Sequence, residues 1–297
     1  MKYDFRARAA DEMQMTTEYR EGAMASGRPW WRRWCGNVKA RVQQNRVGSA
    51  LLVATAIVFS NILIALRLDS VYVRQRNRWK WLSYDEEKSP QENVGFSHRS
   101  DVEAALQCIH GKLRELAEAE LPAGARVLDI GSGTGLVAGQ LVDRWDVVGL
   151  DVSPALTEVA RRLVPQATFL CGDITSAGLE PNFALVYSIS VLEYLPPNEL
   201  AAFMARVAEL LTPSGLFFLQ YPHPVKYVQL WHPNLLYTFH QPRTVDRTAQ
   251  KYFDTVLHHH SFDFGKVVER VDPDPYPLDT IANGYLYVGR KKCQRSN

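Results

Sequence analysis

Val127–Gly135 reads VLDIGSGTG, and this stretch decides the fold. A short apolar run ends in an acid and then three glycines at alternate positions, 131, 133 and 135. That is the pattern of a buried strand running into a tight turn, where glycine lets the backbone bend and lets a ligand approach with no Cβ in the way. A helix is expected from Gly135. Outward from the turn, the chain alternates. Strands are expected at Arg126–Asp129, Val147–Asp151, Thr168–Cys171, Ala184–Ser188 and Leu216–Tyr221. Helices are expected from Pro154 and over Asn198–Leu211. Upstream, Ser100-Asp101-Val102-Glu103 has the form of a capping box. It opens a helix with Val102, Leu106, Ile109, Leu113 and Leu116 three or four apart, ended by Pro122 and Gly124. Alternating units of this length specify an α/β fold, a doubly wound and mostly parallel sheet with helices on both faces. The end breaks that rhythm. A helix near Val245–Leu257 leads to strands near Lys266–Val271 and Tyr285–Arg290, and strands joined without a helix pair antiparallel or cross by a loop.

Ligands of open α/β sheets bind at the carboxyl ends of the strands. Three acids fall there in succession: Asp129, Asp151 and Asp173. Asp129 sits beside the glycine turn, where a carboxylate would repel a pyrophosphate but suits a cationic amino-acid group. The sign of that charge favours S-adenosylmethionine over NAD. Asp151 is placed to accept hydrogen bonds from two ribose hydroxyls. Asp173 is placed to accept from an adenine amino group, with Ile174 to pack on the ring.

At this point the chain resembles the class I S-adenosylmethionine-dependent methyltransferases, from about Ser97 to Arg290. The residues that carry the likeness are VLDIGSGTG at 127–135, Asp151, GDI at 172–174, SISVLEYL at 188–195 and LTPSGLFFL at 211–219. The resemblance implies a Rossmann-like sheet of seven strands, the last antiparallel and inserted beside the sixth. It assigns Asp129, Gly131 and Gly133 to the methionine part and turn, Asp151 to the ribose, and Asp173 with Ile174 to the adenine, with Gly135 and Val152 as further cofactor-binding residues. Ser188 and the residues after it are expected to face the methyl donor.

The catalytic residues are less legible. Methyl transfer is a displacement at a sulfonium methyl, so the cofactor carries the reactivity and the protein orients and desolvates. Many relatives have His where this chain has Tyr194, which leaves Tyr194 as the candidate there. The stretch Tyr221–Thr244 is rich in aromatics and histidine and is read as a lid over a lipophilic pocket, with His223 the candidate base. Tyr84, Phe96 and His98 are candidates to close that pocket from the other side. Consecutive His258–His260 do not suit one metal ion and are read as the charged end of a helix.

The N-terminal part differs in kind. Residues 1–80 carry fifteen Lys/Arg against six Asp/Glu, and the remainder nineteen against twenty-six. A mildly acidic domain argues against nucleic acid as a partner. Val47–Leu66 is a charge-free apolar run of membrane-spanning length, bracketed by Arg46 and Arg67. Trp30, Trp31, Trp34, Trp79 and Trp81 flank it like interfacial anchors. The expected organisation is a basic, disordered arm at 1–46, a membrane helix at 47–67, a juxtamembrane linker at 68–96 and the methyltransferase domain at 97–292. A reducing, cytosolic side is expected for the domain, since four dispersed cysteines fit neither a disulfide framework nor a zinc site. The function expected is methyl transfer to a small, lipophilic acceptor at a membrane. The alternative is a membrane-anchored assembly or regulatory protein that keeps the fold without turnover.

Overall fold

The sheet begins on an acid that is buried at the end of its first strand. In a computed structural model that describes residues 79–80, 82–94, 100–222, 240, 242–263, 266–268 and 284–293, β1 is Arg126–Ile130 and Asp129 is 3% exposed. The strands that follow are β2 (Asp146–Asp151), β3 (Thr168–Cys171), β4 (Phe183–Ile189), β5 (Leu211–Pro222), β6 (Phe253–Asp263), β7 (Lys266–Val268) and β8 (Gly284–Lys291). Helices are α1 (Pro90–Asn93), α2 (Ser100–Glu120), α3 (Pro154–Leu163), α4 (Leu200–Leu210) and α5 (Pro242–Ala249). The described residues belong to one compact unit, residues 49–297.

Strand order is β3-β2-β1-β4-β5-β8-β6-β7. The first five strands are parallel, and the last strand of the chain, β8, lies antiparallel between β5 and β6. This is the seven-stranded Rossmann-like order that the resemblance implies, extended by the three-residue edge strand β7, which pairs antiparallel with β6. Side chains alternate across the sheet. Val127, Val147, Leu185 and Leu216 join Ile109, Leu113 and Ala117 of α2 in one core cluster. Leu128, Val148, Val186 and Phe217 join Phe203, Met204 and Val207 of α4 and Val245 of α5 in the other. Burying each of these large side chains is worth about 1.5–3 kcal/mol, so the two faces hold the strand ends in fixed register.

Three expectations are corrected. No continuous α-helix follows the glycine turn. Residues 135–145 form turns and one short 3₁₀ segment, Ala138–Gln140, with bonds reaching back three residues (Gln140 to Val137) or four (Gly139 to Gly135). Ala138, Leu141 and Trp145 are still buried at helical spacing, but Gly135 and Gly139 each cost a helix about 1 kcal/mol. Next, residues 253–257 are strand rather than the end of a helix. The spacing of Val245, Ala249 and Phe253 is helical, yet α5 tightens at Tyr252 and β6 begins where β8 supplies a ladder, Phe253 opposite Lys291. His258–His260 therefore lie within a strand, not at a helix end. Last, β5 starts at Leu211 and not Leu216. Its pairing with β4 shifts register between Phe183 and Leu185, and Ser214 takes a left-handed φ of 61°.

The membrane-like run at 47–66 lies outside the described residues. Among the described residues, no helix is long and apolar enough to cross a membrane. Trp79, read as an interfacial anchor, packs edge-on against Tyr194 with ring centroids 5.4 Å apart.

Candidate functional site

The glycine turn is shaped by three positive φ angles, 78° at Gly131, 53° at Gly133 and 80° at Gly135. Its first glycine is fixed by a bond from the Gly131 N–H to the Leu150 carbonyl at 2.7 Å, so β2 pins the turn closing β1. A Cβ on Gly131 would run into the Val191 side chain just beyond β4. The turn thus fits against three strand ends at once, and only glycine permits both the angle and the approach.

Asp151 ends β2 and is 9% exposed. One carboxylate oxygen, Oδ2, accepts from the Gly133 N–H at 2.8 Å; the other, Oδ1, accepts from the Ser153 N–H at 2.8 Å. Burial raises its pKa, opposed by the backbone N–H groups of Ser153, Gly133 and Val152. The acid assigned to a ribose is therefore also the clamp on the middle glycine. Each of its oxygens keeps a further lone pair for a hydroxyl donor.

Asp129 lies deeper. Burial pushes its carboxyl up to about 7, the nearby Tyr187 hydroxyl pulls it down and the Asp151 charge adds to the rise. Tyr187 sits opposite it on β4, and burial with the Asp129 charge raises the phenol well above its usual range. The two groups face one another, yet neither Asp129 Oδ2 nor the Tyr187 hydroxyl forms a well-aligned hydrogen bond. Ser132 Oγ and Ser188 Oγ are likewise buried without a partner. An unmatched buried polar group costs about 1–3 kcal/mol. Asp129 Oδ2, Ser132 Oγ and Ser188 Oγ, on or beside one turn, mark a place where a polar ligand would satisfy what the protein leaves open, while the Tyr187 hydroxyl faces Asp129.

At the end of β3, Asp173 Oδ1 accepts from Thr175 N–H and Oγ–H at 3.0 and 2.7 Å, a local turn. Ile174, 7% exposed, packs in the core cluster with Leu150. Val152 is half-buried beside Asp151. The structure thus gathers Asp129, Gly131, Gly133, Gly135, Asp151, Val152, Asp173 and Ser188 along the carboxyl edge of β1–β4.

The acceptor side is less complete. Tyr194 is half-buried in the turn Leu192–Tyr194, its ring against Trp79. His223, Phe96, His98 and most of the expected lid lie outside the described residues. His240, from that lid, is 6% exposed, and its Nε2 donates to the Leu195 carbonyl at 2.9 Å. Burial lowers its pKa to about 4, so it is a neutral structural group that fixes the turn after β4.

Sequence reasoning missed two features. Ser190 holds a left-handed φ of 55°, its N–H bonded to the Gln220 carbonyl and its hydroxyl to Gln220 Oε1 at 3.0 Å. Nothing local to the sequence signals that pairing. The second is the segment before α2. Ser89-Pro90-Gln91-Glu92 is a true capping box with proline in the first turn, and it was legible as such. It seats Val94 on Gly133, where a Cβ would come within 2.8 Å of Val94 Cγ1.

Comparison with known proteins agrees with this geometry. Residues 127–215 match the family model of a methyltransferase domain. The chain is 37% identical over 110 residues to a trans-aconitate 2-methyltransferase of Methylobacterium nodulans, covering 36% of this chain and 42% of that protein. A phosphoethanolamine N-methyltransferase of Triticum aestivum is 25% identical over 151 residues, 45% of this chain and 30% of that one. The matched part spans less than half the length of these relatives. Among solved structures, magnesium protoporphyrin IX methyltransferase from Synechocystis aligns with a TM-score of 0.53 at 16% identity, over 75% of this chain and all of that one. A putative methyltransferase of Haloferax volcanii, solved with its activator, aligns at 0.52 and 17% identity, over 66% and 95%. The chain therefore contains, at residues 127–215, a stretch that matches a methyltransferase domain, set in a sheet whose fold is shared with solved methyltransferases.

Proposed function

We propose that this protein is an S-adenosylmethionine-dependent methyltransferase acting on a small acceptor. The observation that carries the reading is the buried Asp129 with an unmatched oxygen beside a glycine turn clamped by Asp151. A cationic amino acid joined to a ribose fits that pair of carboxylates, and a pyrophosphate does not. Bound there, the cofactor supplies an electrophilic methyl on a sulfonium. The protein's own work is different. Asp151 holds the turn and accepts ribose hydroxyls, Asp129 balances the ammonium, and the Ser188–Tyr194 stretch orients the methyl toward the acceptor and excludes water. Calorimetry with S-adenosylhomocysteine tests this, with NAD as the competitor; binding of NAD in its place would overturn it.

The acceptor is proposed from chemistry, not from relatives. Trans-aconitate is the acceptor named for several relatives, but the match stops short of most of their length. We infer a lipophilic acceptor from the aromatic composition of residues 221–239 and a catalytic base in His223. His223→Ala should lower the rate about 10²–10⁴-fold while leaving cofactor affinity within a few-fold. Single-pass anchoring through Val47–Leu66, with the domain on the cytosolic side where the cofactor is made, completes the proposal and rests on sequence alone. Extraction with carbonate tests it: release of the full chain into the supernatant removes the anchor from the proposal.

A further inference from the structure

The stretch before α2 is built around one amide. Asn93 is 8% exposed, although it lies in a short surface segment. Its Oδ1 accepts from the Asp85 N–H at 2.8 Å. Its Nδ2 donates to the carbonyls of Asp85, Ser89 and Lys88 at 2.9, 3.0 and 3.2 Å. The two ends of the segment are thus tied to a single side chain. The reciprocal Ser89–Glu92 cap and the Lys88–Asp85 contact at 2.6 Å tighten it further. Internally this is a rigid knot.

Its attachment to the sheet is of another order. Glu86 meets Arg162 of α3 at 3.2 Å, an exposed ion pair of the kind that contributes little. Thr134 Oγ1 reaches the Pro90 carbonyl at 3.5 Å, the limit of a hydrogen bond. Val94 rests on Gly133, the glycine whose N–H Asp151 holds. The ion pair and the long hydrogen bond are weak, and a body that is stiff inside can lift as a unit where its outer contacts are of this kind. What lies under it is the middle of the glycine turn.

We propose that residues 85–94 are a latch over the cofactor turn and that Asn93 is the positioning residue that keeps it rigid, so that bound cofactor is retained. This rests on the methyltransferase reading of the turn. Asn93 spends its amide on the segment itself. It acts through Val94, whose place on Gly133 depends on the knot.

The test uses the full-length chain and S-adenosylhomocysteine as the probe. Asn93→Ala should release the probe ten-fold faster or more, with the unfolding midpoint of the ligand-free protein unchanged. Val94→Ala leaves the knot in place and should speed release several-fold, which guards against misfolding of the first variant. The probe should also slow tryptic cleavage after Lys88 in the parent and not in Asn93→Ala. Release at the parental rate in both variants overturns the latch while the cofactor site stands. A lowered midpoint with unchanged release makes Asn93 a structural residue only and overturns it too. Failure of the parent to bind the probe removes the cofactor reading itself, and the latch with it.

Discussion

The carboxyl ends of β1–β3 and of β4–β5 are neighbours built in different ways. On the first, an acid that the sequence displays stands at or beside the end of each strand; backbone satisfies two of them, Asp151 by Gly133 and Ser153 and Asp173 by Thr175, while Asp129 keeps an unmatched oxygen. On the second, the groups that fix the edge come from far apart in the chain. Ser190 leans on Gln220, thirty residues on, and the Leu195 carbonyl accepts from His240, forty-five residues on. Under the proposed function, the cofactor falls to the edge built from a local motif, and the acceptor to the edge that only the fold assembles.

That contrast can be broken by mutation, and Asp151→Ala should have the largest effect. Two buried N–H groups lose a charged acceptor, at about 1.5–3 kcal/mol each, and the turn loses its clamp. Affinity for S-adenosylhomocysteine should fall about 10²-fold or more by calorimetry. An unchanged affinity would mean that the β1–β3 edge is not the cofactor side.

Gly131→Ala comes next. The new Cβ meets Val191 and imposes a left-handed angle on alanine, so the protein should lose about 1–3 kcal/mol in denaturant unfolding. Because Val191 follows β4, this variant joins the two edges. It should impair acceptor turnover as well as cofactor binding, and an effect on cofactor binding alone would separate them.

The third prediction concerns pH. Burial raises Asp129 from 3.8 to about 7, so the folded, ligand-free protein binds the extra proton that the unfolded chain has released. Stability from this group is therefore full below about 4 and is lost as pH rises through about 7. Asp129→Asn should flatten that slope in melting curves taken from pH 4 to 8. If Asp129 balances the cofactor ammonium, affinity should rise over the same interval in the parent and not in the variant. His240 runs the other way on the second edge. Its pKa is lowered from 6.5 to about 4, so stability from it is present above 6.5 and lost as pH falls toward 4.

The smallest effect is expected from Trp79→Ala. Edge-to-face ring contacts contribute about 0.5–1.5 kcal/mol beyond burial. Tyr194 loses its neighbour, so the apparent acceptor KM should rise a few-fold with cofactor affinity unchanged. A change in cofactor affinity instead would place Trp79 with the latch at 85–94 rather than with the acceptor edge.

The sequence by itself determined the parallel half of the sheet, the glycine turn and the acids beside it. Those signals are local: apolar runs of strand length, glycines at alternate positions, an acid where each strand must end. Position in the fold then followed from the alternation of strands and helices. Tertiary structure alone decided the rest. Residues 253–257 have helical spacing, but β8 offers an open ladder there, and hydrogen bonds to a strand distant in sequence outweigh a weak local propensity. The glycine turn runs on into bends because Gly135 and Gly139 weaken a helix that the short connection to β2 does not require. Ile174 is drawn into the core and Trp79 onto Tyr194 by apolar surface that no spacing rule reveals. The depth of Asp129 is of the same kind. Its type and position are written in the chain, but its raised pKa comes from the helices and strands that exclude water around it.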